Sequence, residues 1–149
     1  VPWGPNTEQV TRDFLARNIE RAAEEPRDDF SLAIVPKGED RLVGTAGIYV
    51  KGHQAMLGYA LHRRAWGLGY ATEASLAMIE MAFDVLGLRR VWAACDAENT
   101  ASARVLQKCG MVLEGHLRHD TEIRGELRDT LVWGLLVAEW NRTSNEDNE

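Results

Sequence analysis

The sequence predicts an α/β domain built on a mixed sheet. The spacing of apolar residues changes at a glycine loop, residues 64–72, from the strand period before it to the helical period after it. The elements follow in the order helix, three strands, helix, strand, helix, two strands, without an internal repeat or a linker. With 149 residues and 45% hydrophobic content the chain can bury one real core, so residues 1–140 are predicted as a single domain and residues 141–149 as a polar tail.

The first half of the chain predicts a helix followed by an antiparallel meander. Thr7 can cap a helix that runs to about Glu24, and Pro26 ends it. The apolar stripe of this helix consists of Val10, Phe14, Leu15 and Ile19. Three strands are predicted next, with turn-rich segments between them, at residues 30–35, 41–49 and 54–62.

The second half predicts two helices and three strands. A helix from Thr72 to the C-terminal cap Gly87 carries apolar residues at helical spacing, namely Leu76, Ile79, Phe83 and Leu86. The apolar run 91–95 is typical of a buried strand, and Asn99 is a good N-cap for a helix over residues 100–108. Two strands are predicted within residues 111–137, around a turn at 124–126.

Composition and charge argue against several classes of function. A net charge of −6 and a pI near 5.3 argue against nucleic acid as the main partner, because phosphate backbones bind basic surfaces. No apolar stretch approaches the roughly 20 residues of a membrane span and no signal peptide is evident, which predicts a cytoplasmic location without membrane contact. Cys95 and Cys109 stand in no metal-ligating spacing, and His116 and His119 differ by an odd step along a strand, so no metal site is predicted.

The glycine loop lies between a strand and a helix, where an anion site can form. Glycine lets the backbone turn where a Cβ would obstruct it, and the first N–H groups of the next helix point outward to a phosphate. Gly67 and Gly69 therefore indicate a diphosphate site, unless they merely form a turn. A Rossmann site is disfavoured because a third glycine is absent, and a P-loop is excluded because Tyr70 and Ala71 stand where it needs a lysine and a hydroxyl.

Basic side chains flank this part of the otherwise acidic chain. Each alone is typical of a solvated surface, but together with the glycine loop they indicate a local pocket for a phosphorylated cofactor. They are Arg63, Arg64, Arg89, Arg90, Arg104 and Lys108.

These motifs carry a resemblance to a known family. The pattern Arg64-x-x-Gly67-x-Gly69-x-Ala71 resembles the cofactor motif of the GNAT acetyltransferase superfamily. The longer strings are similar to the branch that includes ribosomal-protein alanine and serine N-terminal acetyltransferases: Trp66-Gly67-Leu68-Gly69-Tyr70-Ala71-Thr72-Glu73-Ala74 and Asn99-x-x-Ser102-x-Arg104-Val105-Leu106-x-Lys108-x-Gly110. The resemblance covers most of the chain. It implies a mostly antiparallel central sheet flanked by helices, with acetyl-CoA as cosubstrate and an amine as acceptor.

The resemblance also implies the residues of the cofactor site. The coenzyme A pyrophosphate would lie on the backbone amides of Gly67, Leu68, Gly69, Tyr70, Ala71 and Thr72. Leu61 and Arg63 would pair with the pantetheine arm in the gap between two splayed strands, and the Leu61 N–H would polarise the thioester carbonyl. Asn99 would bond the same arm, and Ser102 would donate a proton to the leaving thiolate. The implied cofactor contacts also include Arg64 and Arg104.

Two departures from the family pattern bear on these expectations. Many members carry a tyrosine acid where this chain has Leu106, so the acid role passes to Ser102 only by analogy. Members usually begin with a strand ahead of the segment Trp3-Gly4-Pro5, and this chain is predicted to lack it. Either the sequence is a piece of a longer chain, or it is a shortened protein in which a partner covers the exposed sheet edge. A homodimer is a separate expectation.

The reaction needs a neutral amine, because a protonated nitrogen has no lone pair. An α-amine with a pKa near 8 loses its proton at pH 7 for roughly 1 kcal/mol, whereas an alkylamine near 10.4 costs nearly 5 kcal/mol. Glu122 is the candidate general base, with Thr121 as the alternative if the alignment slips by one position. His119 and Asp120 are rivals, but strand neighbours point to opposite faces, so only one side of this segment can face the site.

Three hypotheses about function remain open from the sequence. The leading one is acetylation of the α-amine of a protein or peptide. The second is acetylation of a small amine, such as an aminoglycoside or a polyamine. The third is a regulatory module that binds acetyl-CoA without turnover.

Overall fold

A six-stranded sheet organises residues 6–140, the part of the chain that the computed structural model describes. The strand order is β1-β2-β3-β4-β6-β5, and every neighbouring pair is antiparallel except β3 with β4, which is parallel. The strands are β1 (Asp29–Ile34), β2 (Gly44–Lys51), β3 (Gln54–Leu61), β4 (Arg90–Asp96), β5 (Val112–Ile123) and β6 (Glu126–Leu136). The predicted class, a mixed and mostly antiparallel α/β sheet, is confirmed.

Three helices accompany the sheet: α1 (Glu8–Ala22), α2 (Tyr70–Glu80) and α3 (Thr100–Lys108). A π-helical turn, Met81–Val85, extends α2 as far as Gly87, whose φ of 63° suits the predicted C-terminal cap. A 3₁₀ turn, Arg63–Ala65, precedes the glycine loop, and a helical turn over 137–140 follows β6.

The core lies between one face of the sheet and the helices α2 and α3. Ile48, Ala55, Leu57, Val91 and Ala93 point from β2, β3 and β4 to this face and are almost wholly buried. From the helices, the cluster receives Ile79, Ala82, Phe83 and Leu106. Burial of each large apolar side chain stabilises the fold by about 1.5–3 kcal/mol, so the helical period of α2 is fixed by the core that it covers.

The N-terminal part of the described chain forms the capped helix α1, which leads to the edge strand β1. Thr7 caps α1 as predicted, since its hydroxyl accepts from the Val10 N–H at 3.3 Å. None of the α1 residues is buried, and the apolar stripe of that helix remains exposed. Within the described range no strand precedes α1, and β1 forms the sheet edge. The segment Trp3-Gly4-Pro5 and the tail 141–149 lie outside the described residues.

The parallel strands β3 and β4 separate soon after they meet. They pair only at Gln54 with Arg90, Ala55 with Val91 and Met56 with Trp92. Beyond these pairs β3 continues to Leu61 and β4 to Asp96 without pairing to each other. A cleft therefore opens between the carboxyl ends of the two strands, next to the glycine loop.

Strand β5 departs from the regular alternation that the sequence suggests. The register with β6 shifts between Leu117 and Thr121, and His119 has a φ of 51°. The Asp129 carboxylate accepts the His119 N–H at 2.9 Å, which holds this irregular segment against β6. Regular alternation returns at Thr121, so residues 119 and 121 cannot be assigned to one face by counting.

Candidate active site

The glycine loop presents backbone amides at the start of α2. Gly67 and Gly69 have φ values of 74° and 85°, in the left-handed region, and a Cβ on either would meet no atom within 4 Å. Backbone conformation therefore requires glycine here, and packing does not. The first backbone bond of the helix runs from Glu73 N–H to Gly69 carbonyl, at 3.0 Å.

The amides ahead of that bond are available to a ligand. No side chain caps α2, and in residues 6–140 no loop or turn hydrogen bond takes up the amides of residues 67–72. Gly67, Leu68 and Gly69 are exposed. Unpartnered amides together with the positive end of the helix dipole are the features that bind phosphate.

Trp66 secures the loop to the end of β3. Its indole Nε1 donates to the Leu61 carbonyl at 3.0 Å, and the Arg63 guanidinium lies 5.7 Å from the centre of its ring. The ring itself is 60% exposed, so Trp66 does not pack into the core. The indole therefore fixes the loop to β3 through a hydrogen bond and not through burial of its ring.

Leu61 turns its amide toward the cleft. The neighbouring His62 N–H donates to Val43 at 2.8 Å, and backbone groups alternate in direction along a strand, so the Leu61 N–H points away from β2. The Leu61 carbonyl is engaged by Trp66. The Leu61 N–H therefore remains open to the pantetheine arm, whereas the Leu61 carbonyl does not.

Asn99 and Ser102 form the start of α3. The Asn99 Oδ1 accepts the Ser102 N–H at 3.0 Å, which confirms the predicted N-cap. With this oxygen in use, the Asn99 side-chain NH₂ is the part that can donate to a ligand. Ser102 is partly buried, and its Oγ stands 2.9 Å from the Tyr59 hydroxyl.

Tyr59 is the site residue that sequence reasoning missed. It lies on β3, two positions before Leu61, and reaches across the cleft to α3. Burial raises the pKa of Tyr59 to about 12, although the hydrogen bond to Ser102 acts in the opposite direction. No local sequence signal marks it, because its partner Ser102 lies 43 positions away.

A cavity of about 530 Å³ occupies the cleft. Its size falls in the range of small-molecule sites. The lining comes from β3, β4, α3, β5 and β6 and includes Tyr59, Cys95, Asn99, Ser102, Thr121 and Arg128. Asn99 and Ser102, both predicted as cofactor contacts, thus lie together at the wall of this cavity.

The candidate base Glu122 lies between two residues that line this cavity. Thr121 and Ile123 belong to the lining, whereas Glu122 is exposed and absent from it. Strand alternation places the Glu122 side chain on the opposite face. Its role as base remains a prediction, and Thr121, the alternative by one position, is the residue that faces the cavity.

The carboxylate of Asp129 also lies at the cavity. It accepts from the His119 N–H at 2.9 Å and contacts His116 Nε2 at 2.7 Å. The backbone bond from His119, followed by the contact with His116, holds the pKa of Asp129 below its ordinary value. The two histidines thus meet at a carboxylate, one through its ring and one through its backbone.

The predicted group of basic residues divides between two places. Arg63 and Arg64 precede the loop, and Arg104 projects from α3. Arg90 lies at the other end of β4 and pairs with Glu114, with a 2.8 Å bond between Arg90 Nη1 and Glu114 Oε1. Its assignment to the phosphate pocket is therefore wrong, because the cleft opens at the carboxyl end of β4.

Arg128 carries the positive charge of the cavity wall. Its guanidinium lies 3.1 Å from Asp96 and also pairs with Glu98 and Glu126. Asp96, Glu98 and Asp129 line the cavity with it, so carboxylates outnumber cations at this wall. Residues 6–140 contain no group of three or more His, Cys, Asp or Glu side chains placed to hold a metal ion.

In this chain one parallel strand pair separates within a mostly antiparallel sheet, and a glycine turn and a helix follow the first strand of that pair. A solved acetyltransferase of the GNAT family shares this fold. The model of the acetyltransferase (GNAT) domain matches residues 1–112. The chain therefore belongs to the GNAT family of N-acetyltransferases, which use acetyl-CoA and an amine acceptor.

No helix among the described residues is long and apolar enough to cross a membrane.

Known relatives and solved structures agree with this family. The chain is 33% identical over 132 residues to p20, an uncharacterised N-acetyltransferase of Bacillus licheniformis, with 87% of this chain and 73% of p20 covered. Ribosomal-protein-S5-alanine acetyltransferase from Vibrio fischeri has a TM-score of 0.80 at 25% identity, covering 93% of this chain and 80% of that one. Spermidine N-acetyltransferase from Vibrio cholerae, in complex with CoA and spermine, has a TM-score of 0.80 at 17% identity, covering 94% and 82%, a likeness of fold alone.

Proposed function

We propose that the chain transfers the acetyl group of acetyl-CoA to the N-terminal α-amine of a protein or peptide, as the ribosomal-protein alanine and serine acetyltransferases do. The amine attacks the thioester directly, while both substrates are bound. One observation carries the proposal: among the described residues, the amides of residues 67–72 have no partner at the head of α2, beside the cleft between β3 and β4.

In this proposal the cofactor extends from the loop into the cleft. The amides of residues 67–72 bind the pyrophosphate, and Arg63, Arg64 and Arg104 add positive charge. The pantetheine arm follows the unpaired end of β3, where the Leu61 N–H faces the cleft and donates to the thioester oxygen as negative charge develops there. The Asn99 NH₂ bonds the arm, and Ser102 lies beside the sulfur.

The choice of an α-amine rests on the cost of deprotonation. Each carboxylate that lines the cavity already has a partner, since Asp96 and Glu98 pair with Arg128 and Asp129 contacts His116 and the His119 N–H. Glu122 is on the opposite strand face. An α-amine loses its proton for roughly 1 kcal/mol at pH 7, which water can accept, whereas an alkylamine costs nearly 5 kcal/mol. The similarity to a ribosomal-protein-S5-alanine acetyltransferase supports the same acceptor class.

A small cationic amine is the second candidate acceptor. Asp96, Glu98 and Asp129 line the cavity against the single guanidinium of Arg128, and this excess of carboxylates favours a cation. The fold is shared with a spermidine acetyltransferase, although the identity is low.

Release of free CoA thiol from acetyl-CoA tests the acceptor class. Peptides that begin with alanine or serine should release thiol, and the same peptides with a blocked N-terminus should not. Spermidine and an aminoglycoside serve as the alternative acceptors. Turnover with these amines alone would assign the second candidate, and binding of acetyl-CoA without turnover on any amine would refute transfer altogether.

The cytoplasmic location and the homodimer expected from the sequence stay predictions. Light scattering on the purified chain measures its oligomeric state and so tests the homodimer.

A further inference from the structure

A hydrogen bond joins β3 and α3 across the cleft. The Tyr59 hydroxyl on β3 lies 2.9 Å from Ser102 Oγ on α3, and 43 positions separate the two residues in sequence. Both side chains are partly buried, and both line the cavity. Of the two residues, Ser102 already belongs to the proposed cofactor site, and Tyr59 does not.

The Tyr59 hydroxyl has two acceptors within reach and one proton to give. Ser102 Oγ lies at 2.9 Å, and the Ser102 carbonyl oxygen lies at 3.3 Å. Either hydroxyl can be the donor in the shorter contact, and in the arrangement proposed below the phenol donates to Oγ. When Oγ accepts this proton, the proton of the Ser102 hydroxyl itself must point elsewhere, and the cavity is the open direction.

We propose that Tyr59 is a positioning residue for acetyl transfer, which orients the Ser102 hydroxyl by donating to its oxygen so that the serine proton faces the thioester sulfur. This inference rests on the proposed function, because it needs the sulfur of acetyl-CoA in the cleft. It adds a residue that acts only through Ser102.

The step served by this pair is the departure of the thiolate. The amine nitrogen forms a bond to the thioester carbon, and the carbon–sulfur bond then breaks with its electron pair remaining on sulfur. The Ser102 O–H donates a hydrogen bond to that sulfur as the charge develops. Ser102 keeps its proton throughout: the nitrogen releases one proton to water and the sulfur takes one from water, so free thiol and amide result.

Tyr59 does not itself supply the proton to the thiolate. Its hydroxyl is engaged with Ser102, and burial raises the pKa of Tyr59 to about 12. The same high pKa keeps the phenol protonated throughout the usual range of assay pH, and the donor is therefore always present.

A double-mutant cycle tests the inference with Tyr59→Phe, Ser102→Ala and the combined variant. Removal of the Ser102 hydroxyl is expected to lower kcat roughly 100-fold. Tyr59→Phe should lower kcat about tenfold, since water can orient the serine only in part. Affinity for acetyl-CoA should stay within about twofold in each variant, and the double variant should be no slower than Ser102→Ala, because the two residues act as one unit.

Tyr49→Phe is the matched control. Tyr49 is exposed on the other face of the sheet, away from the cavity, and its variant should keep the full rate. The melting temperature of each variant shows whether loss of the phenol hydroxyl merely weakens the fold.

Several outcomes overturn the inference and leave the proposed function intact. Additive losses in the double variant would mean that Tyr59 acts independently of Ser102. Full activity of Tyr59→Phe, or a loss confined to acetyl-CoA affinity, would assign Tyr59 a packing role. Failure of the unchanged protein to acetylate any amine would instead refute the proposed function itself.

Discussion

Gly69 shows how a single residue can serve conformation and ligand at once. Its φ of 85° demands glycine, and the open space beside it lies next to the amides of the loop. A substitution here therefore has two effects, backbone strain and obstruction of an anion. The two effects can be separated, because Gly52 also has a left-handed φ, of 62°, and equally open surroundings, in the hairpin at the end of β3 opposite Leu61.

Gly69→Ala and Gly52→Ala form a matched pair for this purpose. Each should lower the stability of the fold by about 1–2 kcal/mol, the cost of a left-handed conformation for a residue with a Cβ. Only Gly69→Ala should also weaken CoA binding, by roughly tenfold or more, the equivalent of one lost hydrogen bond to a charged group. Thermal unfolding and calorimetric titration with CoA measure the two effects. Equal CoA affinities of the two variants would mean that the loop does not hold phosphate.

Strands and helices position the site side chains, and their irregularities matter as much as their regular parts. Helices α2 and α3 follow from local signals, the helical period and the Asn99 cap, and both are confirmed. The shift in β5 has no such local signal. It depends on the bond between the His119 N–H and the Asp129 carboxylate, and Asp129 lies on the next strand.

Asp129→Asn tests this arrangement through the pH dependence of stability. The pKa of Asp129 is lowered in the fold, so its contribution is fully present above the unfolded value near 3.8 and is lost as pH falls through the folded value. The variant should melt below the unchanged protein at pH 7, and the difference should shrink below about pH 3.8. Asp40→Asn, at an exposed turn carboxylate, is the control. A difference in melting temperature that does not change with pH would contradict the role of the charge.

At the scale of the whole molecule, the cleft exists because β3 and β4 separate after three residue pairs. A cofactor that lies there would touch β3, α2 and α3 at once and would link parts of the sheet that are not paired directly. Binding to the folded state alone raises stability by mass action, by about 2.7 kcal/mol at a ligand concentration of 100 Kd.

Thermal shifts with three related ligands measure which part of the cofactor matters. CoA at 100 Kd should raise the melting temperature by roughly 5–10 °C for a domain of this size. Dephospho-CoA keeps the pyrophosphate and should remain close to CoA at the same concentration. Pantetheine, which lacks the pyrophosphate, should give a clearly smaller shift. Equal shifts for pantetheine and CoA would contradict the role of the loop amides.

The sequence by itself determined the order of the elements, the sheet class and the glycine loop, because period, capping and left-handed turns are properties of residues near one another in the chain. Only the tertiary structure decided which side chains meet. The pairing of Tyr59 with Ser102, the attachment of Arg90 to Glu114 and the direction of Thr121 into the cavity each join residues on different elements. Such contacts depend on how strands separate and shift in register, and these adjustments leave no local pattern in the sequence.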